Sequence, residues 1–235
     1  MTHSHLKCSL CVNRKNTLFK CLDDEIIDAE NFEGNKLFYP KNSFLFKEGD
    51  NADYFYCIKS GEVRTYKNSE TGKELTFQIK SGGDWTGCRD LVLSVTHNHS
   101  SICLTDVYAC AIPKDTLEKT LEDPHFQHEL LLQMAKSWRD SEQKIFSLGT
   151  KQVHSKLAEF LLVLYNSNGR KNEISVNITR EIMATIIGST TESLIRALSD
   201  FKHRHWIDLQ KNKIYFIDIN ALHSIAEIDK QTISY

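Results

Sequence analysis

Residues 179–208 read TREIMATIIGSTTESLIRALSDFKHRHWID. The pattern predicts a first helix over 180–187 that breaks at Gly188, and a second that starts at Ser189 or Thr190 and runs to about residue 203. Two short helices joined through a glycine turn form a helix-turn-helix. Ile182, Ile186 and Ile187 are expected to face Leu194 and Leu198 as its small core. The outer face of the second helix then carries Thr190, Thr191, Glu192, Ser193 and Arg196, donors and acceptors suited to base edges and phosphates. An arginine there bonds a guanine through two donors, and a glutamate accepts from a cytosine amino group. Glu192 has an alternative reading: with Ser189 three residues before it as N-cap, the two form a capping box. Downstream, Ile207–Leu209 and Ile214–Ile217 read as a hairpin, its tip carrying Lys211 and Lys213 towards a phosphate backbone.

Upstream of this segment the periodicity is helical again. Leu131, Met134, Trp138, Ser141, Ile145, Leu148 and Gln152 alternate spacings of three and four, an a/d seam with a polar break and a polar end. A helix over 126–152 of about 38 Å outreaches a small barrel, which favours packing against its own copy through Leu131, Met134, Trp138, Ile145 and Leu148. A second helix over 155–165 stops at Asn166-Ser-Asn-Gly169, and a short strand follows at 174–178.

Between Leu37 and Pro113 the texture is that of short strands between turn signals: SFLF, YFYCI, VRTYK, ELTFQI and SICLTDVYACAIP. This rhythm predicts an antiparallel barrel or sandwich, with Leu75, Phe77 and Ile79 sharing one face. Residues 22–31, LDDEIIDAEN, put acidic groups at an expected helix start.

The chain has 235 residues, 40% of them hydrophobic and 26% charged, which excludes a disordered or fibrous chain. No apolar run reaches membrane-spanning length and the first residues lack an apolar signal region, so a cytoplasmic protein without a membrane partner is expected. Residues 150–235 hold 11 Lys/Arg against 9 Asp/Glu, and residues 1–149 hold 18 against 22, an asymmetry that permits nucleic-acid contact at the carboxyl end. No P-loop, G-x-G-x-x-G, H-E-x-x-H or Ser-His-Asp order is present, so no enzyme is expected.

The segments Gly49–Arg64 (GDNADYFYCIKSGEVR), Gly83–Gly87 (GDWTG) and Gly188–Arg196 (GSTTESLIR), with the long helix between them, resemble the Crp/Fnr family of bacterial transcription regulators, nearer the Fnr-like branch than the cyclic-AMP receptor. The resemblance covers nearly the whole chain. It implies an α+β fold: a leader and antiparallel, cyclic-nucleotide-binding-like β-roll over 1–125, a dimerisation helix over 126–150, and a winged helix-turn-helix over 151–235. It implies a homodimer on a palindromic DNA operator, with RNA polymerase as a further partner, and base reading by Glu192 and Arg196. Thr191 stands where the cyclic-AMP branch has Arg, and Ile195 where the Fnr branch has Ser, so the half-site shares a TG–A core without matching either branch.

The resemblance also frames the effector. Nucleotide-binding members hold the ribose with a Glu where this chain has Cys88, and the phosphate with an Arg-Ser pair where it reads Asn98-His-Ser100, so cyclic AMP is not expected. Fnr-type oxygen sensors hold a [4Fe–4S] cluster with three leader cysteines and one from the roll; the matching set here is Cys8, Cys11, Cys21 and Cys110. The third ligand departs from the pattern: the matching position is Thr17, and Cys21 follows Cys11 with nine residues between. Zinc at Cys8, Cys11 and His3 or His5, another small ligand in the roll, and no cofactor at all stay open. Cys57, Cys88 and Cys103 read as strand or core filler, and His97 and His99 as solvent-exposed loop residues, with haem ligation as an alternative.

Overall fold

The computed structural model describes residues 11, 13–22 and 36–226. Cys8, His3, His5 and all but the first residue of the expected helix start at 22–31 lie outside them. The chain divides into two compact units, Met1–Arg139 and Asp140–Tyr235. The division falls inside the long helix rather than at its end.

In the first unit, eight strands form two antiparallel four-stranded sheets: β1 (Lys36–Tyr39), β2 (Phe44–Phe46), β3 (Tyr54–Ser60), β4 (Val63–Asn68), β5 (Glu74–Lys80), β6 (Trp85–Thr86), β7 (Ser100–Cys103) and β8 (Val107–Pro113). The sheet orders are β1-β8-β3-β6 and β2-β7-β4-β5. The expected segment SICLTDVYACAIP is two strands, parted at Leu104–Asp106. One face of the first sheet carries Phe55, Cys57, Cys110 and Ile112, and it belongs to an apolar cluster with Leu18, Leu22, Phe126 and Leu130. Leu45, Ile58, Val63, Cys103 and Val107 form a separate cluster. The alternation expected along β5 is broken by a bulge. Thr65 pairs with Gln78 and Tyr66 with Thr76, which leaves Phe77 unpaired and makes Thr76 the buried residue of that strand. Thr76 Oγ1 accepts from Arg64 Nε at 2.7 Å, and Glu74 pairs with the same guanidinium, so the buried cation is compensated.

Among the described residues, this unit is completed by the helices α1 (Cys88–Val92), α2 (Lys114–Thr120) and the first half of α3 (Pro124–Thr150). Two 3₁₀ turns, Arg14–Asn16 and Leu18–Cys21, pin the leader to the same cluster. Phe19 stacks between Phe55 and Phe126, and Lys20 pairs with Glu129 at 2.9 Å.

The second unit holds the rest of α3, α4 (Val153–Ser167), α5 (Arg180–Ile186), α6 (Thr191–His203), α7 (Ile219–Ala226) and the sheet β10-β11-β9, built from β9 (Glu173–Ser175), β10 (Ile207–Gln210) and β11 (Lys213–Phe216). Leu157, Leu161, Leu162, Leu194, Phe201, Ile207 and Leu222 are fully buried in one core. Every element of this unit except α3 contributes to it. The turn after α3 is held by Lys151, which bonds Glu159 Oε1 at 2.9 Å and the carbonyl of Ala226.

Candidate DNA-reading site

The helix-turn-helix forms as the glycine and the apolar spacing require. Thr179 caps α5, its hydroxyl accepting from Ile182 N. The chain turns at Gly188, whose φ of +59° is the left-handed conformation that favours glycine, and Ser189 N donates back to Ala184 O at 2.9 Å. Two expectations are corrected here. Thr190, not Ser189, is the N-cap of α6: its hydroxyl accepts from Ser193 N at 3.2 Å and pairs with the Ser193 hydroxyl at 3.0 Å. Glu192 is therefore the second residue of the helix and takes no part in a capping box with Ser189. The inner face of α5 is Met183 and Ala184 with Ile187, and Ile186 packs against the same core as expected, while Ile182 stands partly exposed outside it.

Leu194, Ala197, Leu198 and Phe201 bury one stripe of α6 completely. The opposite stripe is left outward by the 3.6-residue repeat. There Glu192 and Arg196, one turn apart, are exposed and make no hydrogen bond or ion pair with the described residues. Ser199 and His203 extend the same face by two steps and are exposed too. Sequence reading stopped at Arg196, although the helical repeat alone extends the face. Ile195, 47% exposed, lies beside it. Thr190 is exposed, Thr191 and Ser193 half-exposed.

The wing turns at Lys211, whose φ is +50°. Lys211 is exposed and makes no bond with the described residues, whereas Lys213 is drawn back by an ion pair with Glu173 that holds its pKa above the usual lysine value. The two expected phosphate contacts are thus unequal. At the far end of α6, Asp200 takes Arg204 at 3.0 Å and His154 at 3.5 Å, beside an open polar cleft of about 580 Å³.

On the long helix, Leu131, Trp138 and Ile145, seven residues apart, are 67%, 70% and 70% exposed. The other half of the seam behaves differently. Met134 packs into the apolar cluster of the roll, and Leu148 is half-buried. Leu132 and Phe146, off the seam, are exposed.

The roll carries a second polar group that was misread in the sequence. His97 and His99 are buried rather than solvent-exposed. The His97 ring stacks on Phe46 with centroids 3.7 Å apart, and its Nδ1 stands 3.2 Å from Asp90 Oδ2. His99 lies edge-on to Phe46 and Phe77, with Nδ1 2.9 Å from Asn98 Oδ1. Burial, with the Arg89 guanidinium beside it, pushes the His99 pKa down to about 4, so the ring is neutral at physiological pH. Asp90 accepts from Arg89 Nε at 2.9 Å, and despite its burial the bonds from Arg89 and His97 hold its carboxyl below the usual value. Gly87 makes room for the group: its φ is +88°, and a Cβ there would lie 3.2 Å from Tyr54 O and 3.4 Å from the His97 ring. Asp90 engages the His97 Nδ1 and the Phe46 ring stacks on the imidazole. Cys88, fully buried at the start of α1, has its thiol pushed up to about 12 by burial alone.

Cys21 of the leader and Cys110 of the roll pack against the same apolar cluster. Among the described residues no three His, Cys, Asp or Glu side chains form a group that would hold a metal ion. The Cys21 thiol donates to Leu18 O, and burial raises its pKa; Thr17, at the family position of the third ligand, caps a turn by accepting from Phe19 N. Of the expected set, Cys11, Cys21 and Cys110 are described and Cys8 lies outside the described residues.

A winged helix-turn-helix with a free carboxylate and guanidinium on its second helix, carried in one chain with an antiparallel β-roll, defines a DNA-binding regulator. Comparison with known proteins agrees. The cyclic nucleotide-binding domain family matches residues 36–123 and the Crp-like helix-turn-helix domain family residues 155–225. The chain is 25% identical over 210 residues to a CRP-like cAMP-activated global transcriptional regulator of Mycobacterium tuberculosis, covering 87% of this chain and 94% of that one. It is 26% identical over 221 residues to an Anaerobic regulatory protein of Haemophilus influenzae, covering 92% and 86%. The structure of FixK2 from Bradyrhizobium japonicum superposes with a TM-score of 0.75 at 22% identity, over 81% of this chain and 96% of that one. The chain belongs to the Crp/Fnr family of transcription regulators and is not an enzyme.

Proposed function

We propose that the chain is a homodimeric, sequence-specific transcription regulator that reads a palindromic operator with Glu192 and Arg196. The observation that carries this reading is the exposed, unpaired state of those two side chains on a helix whose other face is buried. Each bonded base edge adds about 1–3 kcal/mol of discrimination, while Thr190, Ser193 and Lys211 supply backbone contacts. Leu131, Trp138 and Ile145 support pairing with a second copy through α3, since three large apolar side chains at heptad spacing stand uncovered. Two-fold symmetry then sets half-site centres about 34 Å apart. RNA polymerase is the further partner and the cytoplasm the setting, as a bacterial DNA-bound regulator requires.

An effector acts by shifting the population of α3 packings and so the spacing of the two reading helices. For the effector, a relative's name speaks of cAMP, but Cys88, Asn98 and His99 hold the positions of the nucleotide-contacting residues, and His99 is bonded within the roll's own polar group. A second reading, oxygen or redox sensing through a [4Fe–4S] cluster at Cys8, Cys11, Cys21 and Cys110, is favoured by relatives named as anaerobic regulators. Its test is the iron and acid-labile sulfide content of protein purified without oxygen; about four of each per chain, lost in air, supports it, and colourless iron-free protein ends it. The DNA reading is tested by gel shift on palindromic TG–A sites against random duplexes. Preference for the palindromes is expected, and equal affinity for both overturns it.

A further inference from the structure

Ile195 is 47% exposed on α6 and stands outside the core that buries Leu194, Ala197, Leu198 and Phe201 of the same helix. At about 100° per residue it lies about 60° round the helix from Glu192, on the flank that Thr191 and Ser199 share. Along the axis it is about 1.5 Å from Arg196, so it meets the same stretch of groove as the guanidinium. Neither packing nor local preference asks for isoleucine there. Its branched β-carbon makes it a poorer helix former than alanine, and nearly half of its surface is left in water. A phosphate oxygen offers such a side chain nothing. On the base edges of the major groove the apolar group is the C5-methyl of thymine.

We propose that Ile195 is a specificity-determining residue of the reading helix: when α6 enters the major groove, its side chain packs on the C5-methyl of a thymine in each half-site. The inference rests on base reading by α6 and adds a base that Glu192 and Arg196, whose partners are cytosine and guanine, do not read. The contact takes apolar surface of both partners out of water. It therefore distinguishes thymine from cytosine at that position, and equally from uracil, which differs from thymine by this methyl alone.

The test uses full-length protein and a duplex that it selects from palindromes randomised around a TG–A core. Each thymine is replaced in turn, on both half-sites at once, by deoxyuridine, which keeps Watson–Crick pairing and removes only the methyl. At one position the wild type should bind about fifteenfold more weakly, about fourfold for each methyl lost. Ile195→Ala and Ile195→Ser remove an exposed side chain and leave the helix core untouched; both should bind the thymine and deoxyuridine duplexes equally. Thr191→Ser removes the other methyl of that flank and should keep the difference. A wild type that prefers the palindrome to random duplex yet is indifferent to every replacement overturns the proposal and leaves base reading by α6 standing. An Ile195→Ala variant that keeps the deoxyuridine penalty overturns it too. Equal binding of wild type to palindrome and random duplex overturns the base reading itself, and this contact with it.

Discussion

Lowering the pH from 8 to 5 should weaken the roll through one side chain, His99. Its folded pKa of about 4 lies below the ordinary histidine value of 6.5, so folding favours the neutral ring. Stability from this difference is complete above pH 6.5 and is lost as the pH falls towards 4. At pH 5 the unfolded imidazole is almost fully protonated and the folded one about a tenth, which makes the folded state about 2 kcal/mol less stable than at pH 8. Asp90, whose pKa is lowered from 3.8, stays ionised across this range, so its own loss begins only below it. The chain has three tryptophans; with Trp138 and Trp206 changed to Phe, Trp85 on β6 reports the roll alone. With a urea dependence near 2 kcal/mol per molar, the unfolding midpoint should fall by about 1 M between pH 8 and pH 5. The His99→Gln variant should begin lower and stay flat across the same range. A wild-type midpoint that does not move, or a variant that keeps the full shift, would refute the reasoning.

Two further outcomes follow from packing and capping. Thr190→Ala removes the N-cap of α6 and should cost about 0.5–2 kcal/mol in the second unit, read by Trp206 fluorescence in urea, with Thr190→Ser nearly neutral; an unchanged midpoint in the Ala variant would contradict the cap. Trp138→Asp places a charge in the exposed apolar stripe of α3 and should raise the dimer dissociation constant by about a hundredfold or more, since burying such a side chain is worth about 3 kcal/mol. Sedimentation of wild type and variant decides this, and a wild-type monomer at micromolar concentration would remove the dimer.

Local sequence signals located the elements better than they located the faces. Gly188 and the spacing of Leu194 and Leu198 place the two reading helices almost to the residue, because a glycine turn and a 3.6-residue repeat are local properties. The sequence leaves the start of α6 open between Ser189 and Thr190, since both can cap and only the entry of the chain selects Thr190. Phe77 escaped because a bulge is set by the partner strand: the ladder slips between Thr65 and Tyr66, which β5 alone does not record. His97 and His99 read as loop residues because their loop is polar, yet the Phe46 ring that covers them comes from a distant strand and the Asp90 carboxylate from the short helix before the loop.

The most direct test of the central claim is the affinity of wild type, Glu192→Ala and Arg196→Ala for a selected palindromic site and for random duplex at one fixed salt concentration. Loss of a guanine contact on each of two half-sites should weaken Arg196→Ala on the palindrome by at least tenfold while leaving random DNA within about threefold. Equal weakening on both would make Arg196 a phosphate contact and contradict base reading by this helix.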